Sequence, residues 1–183
     1  MENVITLAHG SGSIQTNELI NNIFKSNFEN EYLTADDAAV LPIEKGNVAM
    51  STDGFIVSPY EFPGGNIGKL AVCGSVNDIA CMGAKPMYMT CSYIIEEGFP
   101  VEELEKVAKA MGDTAKKCGI KIVAGDTKVA GKGQVDKIFI TTTAVGNIVE
   151  GVNTSGAFAK PGDKIIVTGD IGRHGCTILL ERN

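Results

Sequence analysis

Residues 86–127, PMYMTCSYIIEEGFPVEELEKVAKAMGDTAKKCGIKIVAGDT, decide the fold class. Pro86 opens an apolar run, MYMTCSYII (87–95), that reads as a strand. Pro100 then precedes VEELEKVAKAMGDTAKKCG, the clearest helix in the chain. Leu104, Val107, Ala108, Met111 and Ala115 line one face of it, and Gly119 stops it. IKIVAGDT (120–127) is apolar again and reads as a strand ending on Asp126. Strand, helix, strand predicts an α/β protein.

Working outward, KIFITTTAVGNI (137–148) is a long strand rich in β-branched residues. Gly68, Ala71, Gly74, Ser75 and Ala80 predict a tightly packed helix after FPGG (62–65). Residues 38–43 and 47–52 are strand candidates separated by the turn signal EKGN. Leu19, Ile20, Ile23 and Phe24 recur at helical spacing in 16–28, with Thr16 as N-cap. Residues 3–15 mix Gly, Ser and His and predict a mobile loop. EGVNTSGAFAKPGD (150–163) lacks apolar periodicity. The expected domains are therefore 1–150, a linker over 151–162, and the start of a second α/β domain over 163–183. DKIIVTGDIG (163–172) is its strand and turn, and HGCTILLERN begins its helix. Such a unit cannot bury a core alone, so a truncated longer protein is expected.

With 44% hydrophobic and 21% charged residues, the 183-residue chain is of globular type. A net charge of −6 argues against a nucleic-acid partner, which demands a basic footprint. No run is apolar enough to span a bilayer and no leader peptide is visible, so no membrane is expected and the cytoplasm is the expected location. The five cysteines, Cys73, Cys81, Cys91, Cys118 and Cys176, include no CxxC pair. They are expected to be reduced, buried small hydrophobes rather than disulfides or zinc ligands. Cys81 has no neighbouring base, which argues against a nucleophile.

Acidic and amide residues stand where apolar runs end: Asp36-Asp37 in ADDAAV, Asp53 in STDGF, Asn77-Asp78 in SVNDIACMGA and Asp126 in VAGDTKV. One such Asp is ordinarily a turn or cap residue. Four sites beside small residues match the need of hard divalent cations that bridge protein to phosphate. Thr52 and Thr127 add hydroxyls next to carboxylates. Magnesium takes one or two carboxylates directly, so four sites imply more than one ion or some outer-shell roles. Lys69 and Lys128 are candidates to neutralise phosphate charge. His9-Gly10-Ser11-Gly12-Ser13 could wrap phosphate with backbone N–H groups. It is neither a Walker A motif nor a dinucleotide fingerprint, and by itself it reads as a disordered terminus. An ATP–magnesium enzyme is the leading expectation.

Taken together, HGSGS (9–13), ADDAAV (35–40), residues 51–89, EEGFP (96–100), GDTKV (125–129) and GDKIIVTGDIGRHG (162–175) resemble the HypE family of hydrogenase maturation proteins. These are carbamoyl dehydratases of the aminoimidazole ribonucleotide synthetase-like superfamily. The resemblance implies a mixed β-sheet with helices packed on one face, pairing across a homodimer into a barrel-like assembly with ATP near the interface. It implies metal and phosphate roles for Asp36, Asp37, Ser51, Thr52, Asp53, Asp78, Asp126 and Thr127, and nucleotide contacts from Asn77 and Lys128. The His9–Ser13 loop would fold over ATP. The implied reaction dehydrates a carboxamide on a C-terminal cysteine to a thiocyanate, the source of cyanide for nickel–iron hydrogenase. The implied partners are the carbamoyltransferase HypF and the HypC–HypD scaffold. The chain ends at Glu181-Arg182-Asn183, so the acceptor cysteine is missing from it and the dehydration is not expected to be completed by this chain. Another synthetase or kinase of the superfamily, or a non-catalytic dimerisation module, is the alternative.

Overall fold

The computed structural model describes residues 3–33, 39 and 41–182. A helix, α1, begins at Ile14–Leu19, widens into a π turn over Ile20–Lys25 and closes with Ser26–Phe28. Strand β1 (Val48–Phe55) follows, then a small ribbon of β2 (Glu61–Phe62) and β3 (Gly65–Asn66). Next come α2 (Ile67–Cys81), β4 (Ala84–Glu96), α3 (Val101–Cys118), β5 (Lys121–Ala130) and β6 (Ile138–Ile148). A last helix, α4, spans Arg173–Glu181.

The main sheet runs β1-β6-β4-β5. Strands β4 and β5 are parallel and joined by α3, the crossover that parallel pairing requires. The β1–β6 and β4–β6 pairs are antiparallel, so the sheet is mixed. Met89, Cys91, Tyr93 and Ile95 of β4, with Ile138, Ile140, Thr142 and Ala144 of β6, are buried on one face. Helices cover that face. Phe24 of α1 packs on Tyr93 with ring centroids 4.7 Å apart, and the hydroxyl of Tyr93 donates to Sδ of Met111 in α3. The alternate residues point the other way: Thr90, Ile94 and Thr141 are exposed, and Met50 of β1 is 73% exposed.

The central helices form where local chemistry favours them. The Asn66 side chain accepts from the N–H groups of Gly68 and Lys69, capping α2. In α3, Glu102 and Glu103 occupy the first turn, Lys116 and Lys117 the last, and Gly119 closes it in the left-handed region. Leu104, Val107 and Met111 are fully buried, each contributing about 2–3 kcal/mol by apolar burial. A β-carbon on Gly68 would strike the carbonyl of Val107, so glycine allows α2 and α3 to touch.

Several expectations are corrected. Residues 3–15 are strapped down, not a loose loop. Ile5 N–H donates to Phe99 O at 2.7 Å, Gly98 N–H donates to Ile5 O at 2.6 Å, and Ile5 is fully buried. The N-cap of α1 is Ser13; the Thr16 hydroxyl accepts from the N–H groups of Gly12 and Ser13 instead. Residues 39 and 41–43 form no strand, and 38 and 40 lie outside the described residues. The acidic positions are not strand ends: Asp53 and Asp126 lie within β1 and β5, and Asn77 and Asp78 lie within α2. Both strands run past the polar residue because the ladder with β6 or β4 continues there. Residues 163–172 form no ladder with any described segment, and Ile165 is 93% exposed. A strand is defined by its partner, and apolar content supplies none. Of the cysteines only Cys91 is buried; Cys81, Cys118 and Cys176 are exposed and Cys73 is half-buried. All five are free thiols.

Candidate functional site

The expected site residues fall into two groups on opposite edges of the sheet. On β1, Ser51 and Asp53 point toward α2. The Ser51 hydroxyl donates to Asp78 Oδ2 at 2.7 Å. A β-carbon on Gly74 would stand 2.7 Å from the Phe55 ring and 3.4 Å from Asp53 Oδ2, so glycine lets α2 close on the strand that carries Asp53. Neither Asp53 nor Asp78 has an ion-pair partner among the described residues. Asn77 is exposed beside Asp78 on α2. Thr52 lies on the opposite face of β1, where its hydroxyl donates to Thr142 O and accepts from Thr143. One cation therefore cannot take both Thr52 and the Ser51–Asp53 pair from a single subunit.

On the other edge, Lys128 holds Asp126 at 2.8 Å on the exposed surface of β5. Asp53, Thr142, Cys91 and Gly125 form one rung across the sheet, and Asp126 stands on the next. Three strand spacings separate the edges, about 14 Å. Ligands of one magnesium lie within about 2.1 Å of it, so Asp126 cannot share an ion with Asp53 inside one subunit. Among the described residues no cluster of three His, Cys, Asp or Glu has metal-site spacing. Asp36 and Asp37 lie outside the described residues. Two carboxylates and a hydroxyl, Asp53, Asp78 and Ser51, still suit magnesium, which completes its shell with water and phosphate.

A groove of about 470 Å³ separates α1 from β5. Gly10, Gly12, Thr16, Asp126, Thr127 and Lys128 line its polar rim, with Phe24, Cys91 and Tyr93 inside. Its volume is that of a small-molecule site. Five residues expected to touch nucleotide or metal thus meet here. Burial pushes the Cys91 thiol up to about 12 and raises the Tyr93 phenol well above its ordinary value. Both stay protonated at neutral pH, so Cys91 is no nucleophile.

The glycine-rich loop has a defined shape. Leu7–Gly10 form a single 3-10 turn. His9 is buried and receives the N–H of Thr6 on Nδ1 at 3.1 Å. A backbone amide only donates, so the His9 proton sits on Nε2. Ser11 and Ser13 donate their hydroxyls to Ala8 O. The N–H groups of Gly12 and Ser13 are taken by Thr16, so this conformation does not offer them to phosphate. Gly10 presses on β5, where a β-carbon would stand 2.7 Å from Val129 N. Lys69 is engaged away from both groups, donating to Gly64 O at 2.6 Å.

Sequence reasoning passed over Thr142 and took Ser75 only as a small packing residue; the two join β6 to α2 beneath the acidic pair by a 2.7 Å hydroxyl contact. The alternation Ile138, Ile140, Ala144 marks even positions as core-facing and could have found Thr142. Glu96, which the sequence marks as a charged strand end in EEGFP, accepts from Gly133 and Lys137 N–H and shapes the β5–β6 turn.

Comparison with known proteins agrees with this geometry. Residues 35–148 match the AIR synthase related protein, N-terminal domain. The carbamoyl dehydratase HypE of Rhizobium leguminosarum bv. viciae is 44% identical over 179 residues, covering 97% of this chain and 51% of that protein. A crystal structure of hydrogenase maturation protein HypE in complex with ATP superposes with a TM-score of 0.94 at 47% identity, covering 97% of this chain and 53% of that one. A chain in the crystal structure of a HypE–HypF complex matches at 53% identity and a TM-score of 0.74, over 90% of this chain and 53% of that one. The chain spans about half the length of the curated relatives it matches. No described helix is long and apolar enough to cross a membrane. With its mixed sheet, its one-sided helices and its matched domain, the chain belongs to the AIR synthase related family, and its similarity to HypE proteins runs over nearly its whole length.

Proposed function

We propose that this chain is the nucleotide-binding part of an ATP-dependent carbamoyl dehydratase of hydrogenase maturation. The observation that carries the proposal is the Ser51–Asp78 hydrogen bond beside Asp53, neither acid having an ion-pair partner among the described residues, in a chain that follows an ATP-bound HypE over 97% of its length. In this reading Asp53 and Asp78 hold magnesium, with Ser51 orienting Asp78. Asn77, Thr127 and Lys128 contact nucleotide, and the His9–Ser13 loop borders it. Asp36, Asp37, Thr52 and Asp126 keep their proposed metal or outer-shell roles. Magnesium, when bound, spreads the charge of the transferring phosphoryl group.

An amide oxygen is a weak nucleophile and a poor leaving group. Its attack on the γ-phosphorus releases ADP, and nitrogen gives up a proton. The C–O bond then breaks, phosphate departs and the second N–H proton is lost, leaving a thiocyanate. The chain's own work is to hold triphosphate and amide in line. None of the five cysteines is assigned the carboxamide.

The helix-free face of the sheet, with Val48, Met50 and Ile94 exposed around hydroxyls of β4 and β6, supports a homodimer formed by sheet pairing into a barrel. Residues 1–150 would form the nucleotide-binding and dimerisation domain, 151–162 a linker, and 163–183 the start of a second domain. Exposed Ile165, Ile166, Ile171 and Leu180 support that last assignment. HypF, seen with HypE in a related complex, is the first proposed partner, with HypC–HypD beyond it and the cytoplasm as location.

Titration calorimetry with ATP and magnesium tests the core of this. The wild-type chain binds, and Asp53→Asn and Asp78→Asn each weaken binding at least about tenfold, since loss of even an outer-shell partner costs 10–100-fold. Equal binding by both variants refutes the metal assignment.

A further inference from the structure

Beneath the acidic couple lies a polar contact that plain core packing does not require. Ser75 and Thr142 are both fully buried, and their hydroxyl oxygens are 2.7 Å apart. The Thr142 hydroxyl also lies 3.2 Å from Ala71 O, one turn earlier in α2. We propose that the Ser75–Thr142 pair is a positioning element that sets α2 against the sheet so that Asp78 and Asp53 face the same cation. This rests on the metal reading given above.

The placement follows from two registers. Thr142 stands directly opposite Asp53 in the β1–β6 ladder. Ser75 precedes Asp78 by three residues, so the two share a face of α2. The helix therefore meets the sheet at two points on the same face, two rungs apart: Ser75 on Thr142, and Asp78 on Ser51. The first is dry and fixed; the second is exposed and open to a ligand. Thr142 also ties down the outer strand, because its carbonyl accepts from the Thr52 hydroxyl, on the residue before Asp53. Gly74, between Ser75 and Cys73, rests on the Phe55 ring, where a β-carbon would stand 2.7 Å from it, so α2 lies close to the strand that carries Asp53. An aliphatic residue at 142 would fill the same volume but leave Ser75 with no hydroxyl partner and α2 free to shift along the strand.

The test compares Thr142→Val, Thr142→Ser and the core variant Ile140→Val in the full chain. Manganese serves as probe, with ATP affinity read by calorimetry at fixed metal and metal affinity read by electron paramagnetic resonance at fixed ATP. Thermal melts are run on nucleotide-free protein. Thr142→Val is expected to weaken manganese binding about tenfold, the lower end for an outer-shell change, and Thr142→Ser to restore it. Ile140→Val, chosen for a loss of melting temperature without loss of the hydroxyl pair, is expected to keep wild-type metal affinity. If Thr142→Val binds manganese as wild type does, or Ile140→Val weakens it equally, the positioning role is overturned while the metal reading stands. If the wild-type chain itself shows no ATP-dependent manganese binding, the metal reading falls and the inference with it.

Discussion

Gly10→Ala separates two reasons for a glycine in the N-terminal loop. If the residue serves only to let phosphate approach the backbone, alanine weakens nucleotide binding and leaves the nucleotide-free fold alone. The structure supplies a different reason. A β-carbon there would stand 2.7 Å from Val129 N and 3.0 Å from Val129 Cγ2. Comfortable carbon contacts begin at about 3.5 Å, so loop and strand must part by roughly 0.8 Å. Neither yields easily. Val129 sits in the β5 ladder opposite Ile95, and the loop is anchored by buried Ile5 and His9. Overpacking of this kind costs about 1–3 kcal/mol. At about 2 kcal/mol, a chain of this size loses roughly 4–8 °C of melting temperature. Calorimetric melts without nucleotide, beside ATP titrations, make the comparison. A variant melting within about 1 °C of wild type, well below that shift, would refute the packing account even if ATP affinity fell.

Other outcomes follow from the same coordinates. Gly68→Ala gains about 1 kcal/mol of helix propensity but meets the Val107 carbonyl, so urea unfolding should show net destabilisation of about 1–2 kcal/mol. Gly175→Ala in α4, with open space around it, should not be destabilising. Because burial raises Cys91 to about 12, the folded state keeps a proton that the unfolded chain releases above its ordinary value near 9. That contribution is complete below pH 9 and is lost as pH rises toward 12, by at most about 4 kcal/mol at about 1.4 kcal/mol per unit. Urea midpoints from pH 8 to 11 should therefore fall more steeply in wild type than in Cys91→Ala, with Tyr93, Tyr60, Tyr88 and Cys118, all raised by burial, contributing to the slope that remains; parallel slopes contradict this. Met50→Glu, on the helix-free sheet face, should convert the proposed sheet-paired dimer to monomer in sedimentation velocity without changing the melt of the monomer.

Much of the fold was legible because it is written in local patterns. The α3 face of Leu104, Val107 and Met111, its Gly119 stop and the β-branched run of β6 each announce themselves within a dozen residues. The N-terminal segment was misread because glycine and serine usually mark loops. Its order comes from Ile5 pairing with residues 98 and 99, a contact more than ninety residues away in the chain. Residues 163–172 have apolar content that suits a strand but pair with no described segment, and strand formation depends on a neighbour. The polar positions of the site were visible as residue types. Their elements were not, since an Asp beside a Gly or Thr looks the same at a strand end, inside a ladder or on a helix.

The sequence by itself determined the class of fold, its core helices and the family, because periodicity, caps and motif spacing act over short stretches. Tertiary structure alone decided which acids stand together. Strand order sends β1 and β5 to opposite edges, so Ser51, two residues before Asp53, bonds Asp78 while Asp126 turns to Lys128. Strand order is set by long-range pairing and helix packing, and no window of sequence contains both partners of such a contact.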